Sequence, residues 1–365
     1  MNNKRTEPIL ATYLHERGSR LGLPISGTFE LTSRCNFSCP MCYIHDSDSN
    51  SKKSRELSTD QWISIAKSAV ESGMMFALLT GGEPFLREDF FDIYGEMKKM
   101  GVMVSVNTNG SLIKGEVLRR LVDNPPFRIN VSLYGACEKT YSEMCRNNAF
   151  EDVIKGITAL KEAGIDVRLN LSLTPFNQQD IREIYEIAKK IKVNIKFNSY
   201  MYPSLRREES NCSEGCRFAP AEAAFFSTMW DRLRLGKKDF EKRCKNIVDI
   251  MSCGDSECTV EPEEGARCRA GRSSFWITCD GKMLPCGMMK SPEINLTEIS
   301  FDQAWAVIKE ESKKITLPSK CITCSKRRIC NVCPAVCVAE TGSFNDSPQY
   351  MCEYTDELMK LAEKG

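Results

Sequence analysis

The chain has 365 residues, with 50 lysines and arginines against 49 aspartates and glutamates and a net charge of +1. That balance leaves no electrostatic footprint for nucleic acid, and the longest apolar runs are strand-length, short of a membrane span. Nineteen cysteines, an odd number, and only two histidines point to metal or redox chemistry in a cytoplasmic protein rather than to a disulfide framework or a histidine-rich zinc hydrolase.

Residues 1–24 read as an N-terminal extension without the apolar core of a signal peptide. From 25 to 205, short β-like runs alternate with helical periods. The strand candidates are 28–32, 76–80, 103–107, 128–133, 166–173 and 194–199. The first helix starts at Ser58, where Gln61 completes a capping box, and stops at Gly73. The next spans 87–100, with Phe90, Ile93, Tyr94 and Met97 on one face. Three more are expected over 114–122, 149–163 and 178–191. Six strands alternating with helices imply an α/β fold with a parallel sheet; spacing alone does not say whether it is open or curled.

Residues 206–265 read as a charged helical connector, in which 221–235 forms a helix with Phe225, Met229 and Leu233 on one face. From 266 to 365 the pattern turns to short strands and tight turns. Asp280-Gly281 reads as a hairpin turn between 275–278 and 283–284.

The chemistry is carried by cysteines. Cys35, Cys39 and Cys42 are spaced C-x3-C-x2-C in a loop after the first strand. A closed structural zinc site takes four protein ligands, whereas three thiolates on a four-iron cubane leave one iron open. One β/α unit later comes Gly81-Gly82-Glu83-Pro84, whose glycines let something approach the backbone closely. The fourth strand ends Ser132-Leu133-Tyr134-Gly135, and Arg146 follows downstream. A second cysteine group comprises Cys268, Cys286, Cys321, Cys324, Cys330, Cys333, Cys337 and Cys352. Asn107-Thr108-Asn109-Gly110 reads as a plain turn, and His45 as a solvated loop residue. Tyr43 either shields the cysteine loop or fills the core. Cys137, Cys145, Cys212, Cys216, Cys244 and Cys279 read as small buried or surface thiols.

The cysteine loop and the Gly-Gly-Glu-Pro turn resemble the signature of the radical S-adenosylmethionine enzymes. The C-terminal cysteines resemble the SPASM domain, which carries two auxiliary iron–sulfur clusters. The resemblance implies a partial (β/α)6 barrel followed by a small cysteine-rich α+β domain. It implies a [4Fe-4S] cluster on Cys35, Cys39 and Cys42, with S-adenosylmethionine on the open iron. It also implies that Gly81, Gly82 and Glu83 meet the methionine amino group, and Ser132 and Arg146 its carboxylate. Tyr134 stands where many relatives have aspartate. By the same pattern Cys321, Cys324, Cys330 and Cys352 hold the outer auxiliary cluster, and Cys268 and Cys286 begin the inner one. This chain has Pro334 at the position expected of the next inner cysteine, with Cys333 and Cys337 on either side. Cys333 is the expected ligand; the fourth is Cys253, Cys258 or none, which would leave an iron open to substrate.

The implied function is formation of a 5′-deoxyadenosyl radical and abstraction of hydrogen from a peptide or protein side chain, as in ribosomal peptide maturation. An electron donor such as flavodoxin or ferredoxin is the implied partner. Sulfatase maturation ranks lower, because those relatives carry an aspartate base where this chain has Gly287. The molybdenum-cofactor cyclases share the first loop but have sparser C-terminal cysteines. An iron–sulfur electron-transfer protein without chemistry of its own explains the cysteines but not the three-ligand loop beside Gly81-Gly82.

Overall fold

A computed structural model describes residues 9–44, 55–201, 203, 205, 215–252 and 268–365. His45, Cys212, Cys253 and Cys258 lie outside them. Six strands run parallel, each beside the one before: β1 (Ser26–Glu30), β2 (Phe76–Thr80), β3 (Met103–Thr108), β4 (Arg128–Ser132), β5 (Val167–Ser172) and β6 (Asn194–Asn198). Helix α1 (Ile9–Leu21) precedes them, and α2 (Thr59–Glu71), α3 (Phe90–Lys99), α4 (Gly115–Asp123), α5 (Glu138–Cys145), α6 (Phe150–Glu162) and α7 (Ile181–Ile191) connect them.

Strand alternation separates two faces. Phe29, Leu79, Val106, Ile129, Val131 and Leu169 are fully buried under the helices, against Trp62, Leu121, Ile157 and Ile184. Each such side chain contributes roughly 1.5–3 kcal/mol on leaving water. The other face is polar: Asn107, Asn130 and Asn170 alternate with the buried positions, and Asn130 Nδ2 donates to Asn107 Oδ1 at 2.8 Å. The result is a partial barrel with an apolar outer seam and a polar inner wall.

The Ser58 capping box forms as expected: Gln61 N–H donates to Ser58 Oγ, and Ser58 N–H to Gln61 Oε1. Three expectations shift. First, β1 ends two residues early, because its ladder with β2 stops at Glu30↔Thr80 and the chain must then leave the sheet. Second, α3 begins at Phe90, not 87. Arg87 is held back by Leu31 O and Leu57 O, and Asp89 spends its carboxylate on Arg87 and Thr59 instead of capping the helix. Third, α5 was not foreseen; it is eight residues long and sits behind Gly135 with little periodicity to signal it.

The connector holds α8 (Pro220–Ser252), broken at Gly236, whose φ of 71° and ψ of 171° suit glycine. Of the expected face, Met229 and Leu233 pack against the core while Phe225 is exposed, and Trp230 stacks on Phe197 with ring centroids 4.7 Å apart.

The cysteine-rich segment contributes three strands to the same sheet. β7 (Ser274–Ile277) lies parallel to β1, and β8 (Lys282–Leu284) and β9 (Ile294–Asn295) follow antiparallel. Gly281, with φ of 87°, makes the expected hairpin turn. Four helices complete this part: α9 (Phe301–Lys313), α10 (Ser319–Ile322), α11 (Pro334–Thr341) and α12 (Gln349–Glu363), the last packed along α8.

Candidate active site

The cysteine loop leaves the C-terminal end of β1 and is fastened to β2 by its backbone. Leu31 N–H donates to Thr80 O, Gly82 N–H to Thr32 O and Glu83 N–H to Arg34 O, at 2.8–2.9 Å. The chain's own loop is therefore what crowds the two glycines. A Cβ on Gly81 would lie 2.5 Å from Thr32 O, and one on Gly82 still closer to Arg34 O.

A buried ion-pair network braces the loop from below. Glu56, about 5% exposed, takes Arg34 Nε at 3.0 Å and Arg87 Nη1 at 3.3 Å, and Thr32 Oγ1 donates to it as well. Asn36 ties the loop sideways: its Nδ2 donates to Ser111 Oγ, and its Oδ1 accepts from Asn109 Nδ2 at 2.8 Å. Ser38 N–H reaches Cys145 O at the end of α5. Neither Glu56 nor Arg87 stood out in the sequence, since single charges far apart in the chain carry no local pattern.

Glu83 is fully buried. Its carboxylate accepts Thr108 Oγ1 at 2.9 Å, Asn109 N–H at 2.7 Å and Phe85 N–H at 3.2 Å. Burial raises its pKa to about 7 against those three donors. The side chain is thus spent on the Asn107–Gly110 turn. That turn, read as plain, is the clamp that holds Gly81-Gly82-Glu83 in place; Gly110 does adopt the left-handed conformation, at φ 83°.

Cys35, Cys39 and Cys42 are half-buried and close to one another. Burial pushes the Cys35 thiol up to about 12. Cys39 is raised too, first by the neighbouring Cys145 thiol and then by burial. Thiols with these shifts bind metal only by releasing protons to it. A set of three soft donors, held by backbone on a rigid strand end, suits a four-iron cluster with one open iron. Ser132 and Tyr134 share a hydrogen bond beside Cys39. Arg146 follows Cys145 in a left-handed conformation, φ 52°, and is exposed with its charge near Cys39. Tyr43 meets Trp276 of β7 edge-on, with ring centroids 6.4 Å apart.

The C-terminal thiols fall into two groups. Cys321, Cys324, Cys330 and Cys352 line one cavity of about 300 Å³. Among the described residues no three histidine, cysteine, aspartate or glutamate side chains converge tightly enough for a single metal ion. Cys333 stands at the N-cap position of α11 and lies near Cys268, while Cys337 is buried against Cys321, Val332 and Cys330. Pro334 follows Cys333 at the first helical position. Gly287 packs under Trp276; a Cβ there would lie 2.6 Å from the indole. Cys145, Cys216 and Cys244 are buried and Cys137 is exposed. Cys279 lies beside Ser33 and Glu30 at the barrel mouth, and burial pushes its thiol to about 12.

The Radical SAM superfamily model matches residues 29–190. An AdoMet-dependent heme synthase of Methanosarcina barkeri is 25% identical over 340 residues, covering 89% of this chain and 95% of that protein. A probable GTP 3′,8-cyclase of Sulfolobus acidocaldarius is 34% identical over 284 residues, covering 74% of this chain and 83% of that protein. Among solved structures, native anSMEcpe with bound AdoMet and Cp18Cys peptide superposes with a TM-score of 0.70 at 17% identity, covering 93% of this chain and 96% of that one. No helix among the described residues is long and apolar enough to cross a membrane.

Proposed function

Because the chain belongs to the radical SAM superfamily, we propose that it abstracts hydrogen from a peptide or protein side chain and oxidises or cross-links it. The cluster and S-adenosylmethionine supply the 5′-deoxyadenosyl radical when bound. The chain's own part is to hold and orient. Cys35, Cys39 and Cys42 ligate the first cluster, and the backbone of Gly81-Gly82, clamped by Glu83, faces the methionine amino group. Ser132 and Arg146 flank its carboxylate. Tyr43 and Trp276 cover the mouth and exclude water.

The observation that carries the reading beyond the first loop is the cavity of about 300 Å³ ringed by Cys321, Cys324, Cys330 and Cys352. It supports an outer auxiliary cluster. Cys268, Cys286 and Cys333 form the inner one. Clusters held by these cysteines would supply an acceptor for the electron left when a substrate radical loses a proton, so the substrate would lose two hydrogens overall, one to deoxyadenosine and one as proton plus electron. A flavodoxin or ferredoxin supplies the electron that starts each turnover. The bound peptide of anSMEcpe agrees with a peptide substrate. Trp276 over Gly287 leaves no room for the aspartate of a sulfatase-maturing enzyme.

The test is anaerobic incubation with S-adenosylmethionine, dithionite and short cysteine-containing peptides encoded beside the gene. The expected result is deoxyadenosine formation with a peptide lighter by two hydrogens. Deoxyadenosine with no change in any peptide would favour a second reading, a heme-forming oxidation of a tetrapyrrole. That reading is supported by the similarity to the Methanosarcina barkeri heme synthase along 95% of its length.

A further inference from the structure

The chain is electrically balanced as a whole, at +1, but not along its length. Between Glu311 and Glu340 it holds no aspartate or glutamate and six cations: Lys313, Lys314, Lys320, Lys326, Arg327 and Arg328. The same run carries Cys321, Cys324 and Cys330, so the excess charge is gathered around the outer group of thiols. Some of it is answered locally. Lys313 pairs with Glu310 and Lys314 with Glu311 of α9, and Lys326 pairs with Asp356 of α12. The other acids on that side of α12 have partners of their own kind: Glu353 accepts from Gln349, and Glu357 pairs with Lys360. Lys320 and Arg328 are exposed on either side of the thiol pair Cys321 and Cys324.

The thiols lie close to this surface. Lys320, Lys326 and Arg327 line the same cavity of about 300 Å³ as the four outer cysteines. Cys321 is buried, but Cys324, Cys330 and Cys352 are only half-buried. Ile322 and Thr323, between the first two cysteines, are exposed. A small apolar spot therefore sits among cations beside the thiol cavity. Arg328 also lines a neighbouring cavity of about 660 Å³ together with Lys242 of α8, which extends the basic face. Local charge of one sign in an otherwise neutral chain speeds the approach of an oppositely charged partner and fixes its orientation. A nucleic acid fits this face poorly. It needs a stripe of phosphate contacts, and unpaired bases need aromatic side chains to stack on; the run from 312 to 339 has no Phe, Tyr or Trp. A small acidic protein needs only a compact patch of this kind.

We infer that this basic face is the docking surface for an acidic one-electron carrier, which collects there the electron that the substrate radical leaves on the outer cluster. This rests on the reading that Cys321, Cys324, Cys330 and Cys352 hold that cluster. One electron passes to the oxidised carrier, the proton lost by the substrate goes to solvent, and no bond of this chain is made or broken.

The probe is oxidised flavodoxin of net negative charge, titrated by calorimetry into the anaerobically reconstituted full chain. Lys320→Glu/Arg328→Glu should weaken binding about tenfold. Lys189→Glu/Lys190→Glu, the same change of charge on exposed residues of α7, should leave it as in the wild type. Raising the ionic strength from about 0.1 M to about 1 M shortens the screening length from about 10 Å to about 3 Å, and the difference between the two double variants should vanish. Iron content and deoxyadenosine formation with dithionite should match the wild type in both. No binding by the wild type, equal binding by the two double variants, or an affinity indifferent to salt would overturn the docking face. A shifted midpoint of the outer signal in Lys320→Glu/Arg328→Glu with unchanged flavodoxin binding would also overturn it, by making the cations counter-charge for the cluster and nothing more. Tighter binding of a single-stranded DNA oligonucleotide than of flavodoxin, lost in the same variant, would replace the carrier with a nucleic acid. The underlying reading fails separately: if Cys324→Ala/Cys352→Ala loses no auxiliary signal in electron paramagnetic resonance, there is no cluster at this face and the proposal falls with it.

Discussion

Glu83 has a side-chain role that its motif does not announce: its carboxylate accepts from Thr108 Oγ1 and Asn109 N–H and so holds the turn after β3 against the motif. Its pKa is raised to about 7 from 4.5. A raised carboxyl contributes stability that is complete below the unfolded value and is lost as pH climbs through the folded one. The protein should therefore lose about 3 kcal/mol from this group between about pH 4.5 and pH 7. Glu83→Gln should flatten that stretch of the stability curve. Denaturant unfolding of both proteins across the window checks it; parallel curves would refute the assignment. Cys333 and Cys337 offer a second contrast. The sequence left them as neighbours on either side of Pro334, with Cys333 preferred. In the fold they sit one helical turn apart, Cys337 N–H donating to Cys333 O at 3.0 Å, but Cys333 lies near Cys268 and Cys337 is buried beside Cys321. We expect Cys333→Ala to remove the inner auxiliary signal in electron paramagnetic resonance, and Cys337→Ala to leave it. The reverse result would exchange their roles.

At the scale of elements, the loop after β1 is a joint product of β1, β2 and the turn after β3. Gly82 is the tightest point. We expect Gly82→Ala to push Arg34 O and the loop aside, because the backbone there cannot yield as a side chain could. About four irons should be lost of about twelve, with the auxiliary signals retained. Full iron content in the variant would show that the loop tolerates the shift. Arg87 is the matching brace on the other side. Arg87→Ala leaves Glu56 buried with one cation fewer, a change that costs about 3 kcal/mol or more. A melting temperature within error of the wild type would argue against it. The helices with strong periodicity, such as 149–163, were legible within one or two residues of their bounds. Helix α5 was not, and it brings Cys145 to the loop.

For the whole molecule, the iron count is the broadest test. Three four-iron clusters predict about twelve irons per chain, and Cys35→Ala/Cys39→Ala/Cys42→Ala should retain about eight while ending deoxyadenosine formation. A wild-type count near four would mean that the cavity around Cys321, Cys324, Cys330 and Cys352 holds no cluster.

Local chemistry was enough to establish the α/β alternation, the Ser58 cap, the hairpin at Gly281 and the spacing of the cysteines, because each is a pattern within a few neighbouring residues. Only the tertiary structure decided three other things. It added β7 to the barrel sheet beside β1, it spent Glu83 on the turn after β3, and it placed Asn109 and Cys145 against the cysteine loop. Those contacts join residues that lie 25 to 248 positions apart, as in the pairs Glu83–Thr108 and Ser26–Ser274. Their energy comes from burial and from hydrogen bonds that close only when the sheet has curled, so no stretch of sequence carries them alone.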